Sequence, residues 1–197
     1  MQPDIHRLLK LQKLLLQFSH VERRVHRKHN DAVVYENDTE HSYNLAMTAW
    51  FLCHWFPDLN RDTVIRYALV HDLVEVHAGD TFIYADEAEL ATKEAREKDA
   101  LDKLAREWGD FEELYKTIET YEKREDDESR FVYALDKIMP IMLVYIHDGY
   151  SWAVDNVTAK MLYDAKIDKV KVSPEIKPYF DQLHSLLLEH PEIIKAS

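Results

Sequence analysis

Hydrophobic residues recur at helical spacing along most of the chain and predict a series of amphipathic α-helices. Leu8, Leu11, Leu15 and Phe18 mark the first helix, over about residues 4–21. The same pattern predicts helices over about residues 40–55, 61–77, 86–107, 110–124, 131–146 and 156–170, and a last one after Pro178. Residues 30–39 are polar and predict a loop. The fold class is therefore predicted to be all-α, and Trp50 and Trp55 are interpreted as core residues.

The most apolar stretch of the chain, residues 131–146, predicts a central buried helix. Asp136 places a carboxylate in the middle of this helix, and Pro140 should kink the helix one turn later. A buried carboxylate is rare without a partner, because the loss of its hydration is costly. Asp136 is therefore expected to bind a positively charged group.

A second unusual cluster lies in the helix predicted over residues 61–77. His71 and Glu75 are four residues apart and Asp72 and Glu75 three, so their side chains can lean towards one point on a helix. Such polar groups facing a packed interior would cost several kcal/mol if they had no partner. A divalent metal ion is the simplest compensation.

His41 supplies a further candidate ligand. It lies in the first turn of the helix over residues 40–55, which Asn37, Asp38 or Thr39 can cap, and it points inward with the apolar stripe. His41, His71, Asp72 and Asp136 thus come from three helices. This mixed nitrogen and oxygen set suits a five- or six-coordinate divalent ion with open positions, and Mn²⁺, Co²⁺, Ni²⁺, Fe²⁺, Mg²⁺ or Zn²⁺ could occupy it.

Composition and charge limit the partners. The 197 residues are expected to form one domain, and the formal net charge of −12 argues against binding to nucleic acid or an anionic membrane. No run is long and apolar enough to span a bilayer. The one cysteine, Cys53, permits no intramolecular disulfide and favours a cytoplasmic location.

The order His41, His71-Asp72, Asp136 resembles the H…HD…D signature of the HD-domain metal-dependent phosphohydrolases. The neighbouring residues Glu40-His41-Ser42, Gly79-Asp80 and Asp136-Lys137 are similar to the branch that contains the 5′-deoxynucleotidases. The resemblance covers roughly residues 8–150. It implies a compact HD-domain helical bundle with a central metal ion, a small phosphorylated substrate and a homodimer.

The chemistry expected of this site is hydrolysis of a phosphate ester. The metal would polarise a phosphoryl oxygen and activate water, so Asp72 is both a ligand and a catalytic residue. Glu75 is placed to orient or deprotonate the water, or to protonate the leaving oxygen. The resemblance implies that Arg27, with Lys28 or Arg24, binds the phosphate and that Asp80 accepts a hydrogen bond from a sugar hydroxyl.

Several alternatives stay open at this point. The basic residues 22–29 could be a solvated helix end instead of a phosphate clamp. The substrate could be a deoxynucleoside triphosphate, another small phosphate ester or an alarmone, although Val76 stands where alarmone hydrolases have a second acid. The chain could also be a helical nucleotide-binding protein without catalytic activity.

Overall fold

The computed structural model describes residues 2–30, 32–80 and 87–197, and these residues are mostly helical. The predicted helical fold class is confirmed. In chain order the elements are α1 (Ile5–Phe18), β1 (Glu22–His29), β2 (Ala32–Asn37), α2 (Asp38–Leu52), α3 (Arg61–Val70), α4 (Glu75–Ala78), α5 (Glu87–Glu107), α6 (Glu112–Lys123), α7 (Asp127–Ile146), α8 (Tyr150–Asp155), α9 (Ala159–Val170) and α10 (Lys177–Glu189).

The basic stretch after α1 is a β-strand, so its interpretation as a helix end is wrong. β1 pairs with β2 in an antiparallel hairpin in which His26 lies opposite Tyr35 and Arg27 opposite Val34. The predicted loop over residues 30–39 is mostly the second strand and the start of α2. Valine and tyrosine favour the pleated, half-buried surface of a sheet. In this hairpin charged side chains separate them and conceal the alternation.

The helix predicted over residues 61–77 is interrupted at the His-Asp pair. α3 ends at Val70, residues 71–74 form tight turns, and α4 begins at Glu75. The backbone N–H of Glu75 donates to the carbonyl of Asp72, a bond across three residues and not four. Gly79 ends α4 with a φ of 76°, a conformation that glycine adopts without strain. The tightened turn keeps His71, Asp72 and Glu75 within one short segment.

α7 is the central buried helix, as predicted. It contacts α2, α3, α6, α9 and α10, and its Phe131, Val132 and Leu135 are almost completely buried. Asp126 caps its N-terminus by accepting a hydrogen bond from the backbone of Ser129, and the helix continues through Pro140. A second hydrophobic cluster joins α1, α5 and α6. The two clusters fix the helices that carry the candidate site.

Trp50 and Trp55 do not belong to this core. Their side chains are 51% and 53% exposed, so their interpretation as core residues is wrong. Trp55 follows the end of α2, and Trp50 lies on the face of α2 that turns away from α3 and α7. Because α2 carries apolar residues on both its buried and its exposed face, its sequence does not show which face is buried.

Candidate metal centre and cavity

The four predicted metal ligands come together in the fold. His41 lies in the first turn of α2, which Asn37 caps by accepting from the backbone N–H of Glu40. His71 and Asp72 follow α3, and Asp136 lies in the middle of α7. One ligand atom from each of the four side chains lies within 4.8 Å of the others, and three of the side chains are buried. The α2, α3 and α7 helices therefore build one cluster of two imidazoles and two carboxylates.

His71 has the orientation expected of a metal ligand. Its Nδ1 lies 2.9 Å from the carbonyl oxygen of Ala68, which can only accept, so Nδ1 carries the proton. The lone pair of a neutral ring is then on Nε2. This atom is buried without a hydrogen-bond partner and lies 2.8 Å from Asp72 Oδ2. A backbone carbonyl that fixes the tautomer of a ligand histidine is a recurrent feature of metal sites.

His41 is held between two carboxylates. Its Nε2 lies 2.9 Å from Asp136 Oδ1, and its Nδ1 lies 3.4 Å from Glu36 Oε2. Burial and Arg23 both lower the pKa of His41, but the carboxylates of Asp136 and Glu36 outweigh them and raise it. Glu36 is therefore in position to orient the ring, as the Ala68 carbonyl orients His71.

These observations fit a divalent cation. The unpartnered, buried Nε2 of His71 faces two carboxylates, and imidazole with carboxylate is the ligand chemistry of Mn²⁺, Fe²⁺, Co²⁺, Ni²⁺ and Zn²⁺. Four protein ligands leave one or two positions of a five- or six-coordinate ion open for water and substrate. A structural zinc site, in contrast, is closed by its four protein ligands. The four side chains could therefore hold a divalent metal ion.

Arg23 of β1 lies beside this cluster and makes contacts that the sequence did not predict. Its Nη1 donates to Asp72 Oδ2 at 2.6 Å and to Asp38 Oδ1 at 3.1 Å, and its Nη2 lies 3.9 Å from Asp136 Oδ1. Burial alone would lower the pKa of Arg23, but Asp72, Asp136 and Asp38 raise it well above its usual value. The guanidinium is therefore permanently charged and held at the metal cluster, where a phosphate group could contact it.

Lys137 compensates the negative charge of Asp136. Its ammonium contacts Asp136 Oδ2, on the side of the carboxylate away from His41. Although burial would raise the pKa of Asp136, Lys137 and His41 hold it well below the usual value. Burial would likewise raise the pKa of Asp72, and His71 and Arg23 lower it instead. Both carboxylates are therefore ionised and able to bind a cation.

The pKa of Glu75 is shifted in the opposite direction to the pKa values of Asp72 and Asp136. It is buried, and one of its oxygens lies within 4.8 Å of oxygens of Asp38 and Asp72. Burial and the charges of Asp72 and Asp38 raise the pKa of Glu75 well above its usual value. Burial and Asp72 also raise the pKa of Asp38, to about 6. A carboxyl group that stays protonated beside ionised ones is suited to donate a proton.

A cavity of about 510 Å³ opens onto the cluster, which is a suitable size for a small-molecule ligand. His71, Asp72, Glu75 and Asp136 line it, and Asp80, the predicted sugar-binding residue, does as well. Burial raises the pKa of Asp80. Its role with a sugar hydroxyl stays a prediction. Among the described residues, seven basic ones also line the cavity: Arg23, Arg24, Lys93, Arg124, Lys137, Lys166 and Lys169.

Arg27 and Lys28, the residues predicted to bind phosphate, lie elsewhere. Arg27 donates to Glu40 Oε1 at 2.6 Å, and the Lys28 ammonium lies 5.0 Å from the centre of the Tyr150 ring. Neither is among the described residues that line the cavity, whereas Arg23 and Arg24 of the same strand are. The geometry favours Arg23 for phosphate binding. Three of the other basic residues that line the cavity, Lys137, Lys166 and Lys169, come from α7 and α9.

Comparison with known families agrees with this architecture. The model of the HD domain family matches residues 17–177, which include all four residues of the cluster. The chain therefore belongs to the HD domain family.

Individual relatives narrow the comparison. The chain is 34% identical over 109 residues to the 5′-deoxynucleotidase HDDC2 of Bos taurus and 32% identical over 109 residues to that of Homo sapiens. Each alignment includes 54% of this chain and 52% of the relative, so the similarity spans about half the length of these proteins. A solved structure of a predicted metal-dependent phosphohydrolase from Magnetospirillum magnetotacticum MS-1 superposes with a TM-score of 0.75 at 27% identity, covering 95% of this chain and 98% of that one.

The helices were also compared with the requirements for crossing a membrane. Within residues 2–30, 32–80 and 87–197, no helix has the length and apolar character needed to cross a bilayer.

Proposed function

We propose that this protein is a metal-dependent phosphohydrolase that converts (deoxy)nucleoside 5′-monophosphates into nucleoside and inorganic phosphate. The observation that carries the proposal is the cluster of His41, His71, Asp72 and Asp136 with Arg23 beside it at the end of a cavity. The 5′-deoxynucleotidases among the relatives support the choice of substrate, and the solved metal-dependent phosphohydrolase supports the choice of chemistry.

In the proposed reaction a water oxygen attacks phosphorus and the bond from phosphorus to the 5′ oxygen breaks. A divalent ion held by the four ligands would supply Lewis-acid polarisation of a phosphoryl oxygen. Arg23 neutralises the phosphate, since its guanidinium lies 2.6 Å from the Asp72 carboxylate at the edge of the cluster. Burial beside Asp72 and Asp38 favours the protonated form of Glu75, which donates its proton to the departing 5′ oxygen and regains one from the water that has attacked phosphorus.

The identity of the metal is also a proposal. Two imidazole nitrogens favour a first-row transition ion over Mg²⁺, which prefers oxygen ligands and retains its water. Mn²⁺, Fe²⁺ and Co²⁺ accept such a mixed set with five or six ligands, so we expect these ions to support more activity than Mg²⁺.

The proposal predicts phosphate release from nucleoside 5′-monophosphates. Metal-stripped protein resupplied with Mn²⁺, Co²⁺ or Mg²⁺ should release phosphate from a panel of ribo- and deoxyribonucleotides and prefer the deoxy series. The measurement is colorimetric phosphate detection, with Asp72→Ala treated in the same way as the blank. If wild type with a full equivalent of metal releases no more phosphate than this blank, the proposed reaction is wrong.

A homodimer, implied by the family resemblance, is proposed to form through α2. Tyr43, Met47, Trp50 and Phe51 lie on one face of this helix and are all exposed, and Trp55 packs against Phe51. Contiguous apolar side chains at a surface often mark a protein interface. Light scattering should give the mass of a dimer for wild type and of a monomer for Phe51→Glu. A monomeric wild type would contradict the proposal.

The organisation of the chain as one domain, residues 1–197, also stays a proposal. The match to the HD domain runs from the end of α1 to the beginning of α10 and includes most residues of both hydrophobic clusters. A cytoplasmic location is likewise a proposal. It is supported by Cys53, which is a buried free thiol.

A further inference from the structure

Two lysines of α9 line the cavity and are not used in the proposed reaction. Lys166 is only 9% exposed, and Lys169, one helical turn further on, is half-buried. Both side chains line the same cavity as the metal cluster. Like charges three residues apart on a helix destabilise each other, so this pair needs a compensating anion.

Two neighbouring lysines, one in α9 and one directly after it, show what a compensated lysine looks like. Lys160 forms an ion pair with Asp164, and Lys171 forms one with Asp168. Within the part of the chain that the structure describes, Lys166 and Lys169 form no hydrogen bond and no ion pair with a carboxylate. A lysine that is nine-tenths buried without a partner is rare, because its ammonium loses hydration and gains nothing in return.

Most other cations around the cavity already have carboxylate partners. Arg23 contacts Asp72 and Asp38, and Lys137 contacts Asp136. Arg124 forms an ion pair with Glu122, and Lys93 forms one with Glu97. Lys166 and Lys169 of α9 differ from these four cations because they have no carboxylate partner among the described residues.

The pKa values of both lysines are lowered. Burial and the neighbouring charge of Lys137 together lower the pKa of Lys166 to about 7, against the opposing charge of Asp136. Burial and Lys137 lower the pKa of Lys169 as well. An anion between the two ammonium groups would restore both pKa values and supply the missing hydrogen bonds.

We propose that Lys166 and Lys169 form the binding position for a second phosphoryl group, so that the cavity accepts nucleotides with two or more phosphates. This inference rests on the proposed function, in which Arg23 and the metal cluster bind the first phosphoryl group. Each additional phosphoryl group adds at least one negative charge, which matches the two uncompensated lysines. The α9 side of the cavity would thus let the site bind nucleoside di- and triphosphates in addition to the monophosphates of the proposed reaction.

Binding of deoxyadenosine 5′-monophosphate and 5′-diphosphate tests the proposal without relying on turnover. Metal-loaded Glu75→Ala protein is used so that the nucleotides are not consumed, and affinities are measured by calorimetry. The diphosphate should bind about tenfold more tightly than the monophosphate, the scale of one charge-assisted hydrogen bond. Adding Lys166→Met or Lys169→Met should abolish that preference and change the affinity for the monophosphate less than twofold.

Lys160→Met is the matched control, because it removes an exposed lysine from the same helix and should keep the preference. Methionine has a helix propensity close to that of lysine, and circular dichroism with a melting curve verifies the fold of each variant. Lys169→Met removes a half-buried side chain and provides a second test if Lys166→Met melts early.

The possible outcomes separate this inference from the proposed function. If the monophosphate binds and the diphosphate binds no better, the second phosphoryl position is wrong while nucleotide binding stands. If either lysine variant weakens both ligands equally, the lysines bind the first phosphate, which also overturns the inference. If neither nucleotide binds, both proposals are wrong.

Discussion

Replacing Asp136 with alanine should abolish both metal binding and phosphate release. Asp136 is buried in the middle of α7, and its two oxygens are directed to His41 on one side and to Lys137 on the other. Removing the carboxylate takes away one of the four ligands and leaves His41 and Lys137 without their partner. The measurements are the metal content of the purified protein by mass spectrometry and phosphate release from the nucleotide panel.

Loss of a buried partner also costs stability, about 3–5 kcal/mol when an uncompensated charge is left behind. Asp72→Ala is therefore the companion variant, because Asp72 is partly exposed and its removal disturbs the core less. Asp127→Ala, a highly exposed residue at the start of α7, is the matched control and should bind metal normally. A full equivalent of metal in Asp72→Ala or Asp136→Ala would show that the ligand assignment is wrong.

The positions of the four candidate ligands could be predicted because each contradicts its local pattern. Asp136 interrupts the most apolar helix of the chain, and His71 and Asp72 interrupt another apolar run. His41 was less conspicuous, since an inward-facing histidine is often an ordinary core residue. Local periodicity placed all of them on inward faces, and the structure brings their ligand atoms within 4.8 Å of one another.

Arg23 could not be identified in the same way. Its partners Asp38 and Asp72 are 15 and 49 residues away, so no local pattern connects them. The charged residues of β1 resembled a helix end, and without the hairpin there was no reason to separate Arg23 from Arg27. Arg23 and Arg27 are four residues apart and would share one face of a regular strand. The register irregularity between Glu22 and His26 breaks this alternation, so only Arg23 lies at the cluster.

Lys166 gave even less signal in the sequence. It belongs to a lysine-rich segment in which Lys160, in α9, and Lys171, directly after α9, are exposed and paired with aspartates. Only the packing of α9 against α7 distinguishes Lys166, by burying it at the cavity. Burial of one member of a set of similar residues depends on tertiary packing and not on local periodicity.

Replacing Glu75 with alanine should lower kcat by about two orders of magnitude or more, the usual scale of general acid–base catalysis, while the metal stays bound. The reason is that Asp72 and Asp136 are the proposed metal ligands, whereas Glu75 is the proposed proton donor. Arg23 and Lys137 lower the pKa values of Asp72 and Asp136, whereas burial and the charges of Asp72 and Asp38 raise the pKa of Glu75 and favour its protonated form. Loss of Glu75 removes a proton donor and none of the four predicted ligands.

Two readouts on the same protein make this prediction specific. Metal content by mass spectrometry should equal that of wild type, in contrast to Asp72→Ala, and phosphate release should fall through kcat with little change in KM. Glu75→Gln keeps the size and hydrogen-bonding capacity of the side chain but has no carboxyl proton, so it should be as inactive as Glu75→Ala. Near-normal turnover of either variant would remove Glu75 from the mechanism, and loss of metal from Glu75→Gln would make it a fifth ligand instead of a proton donor.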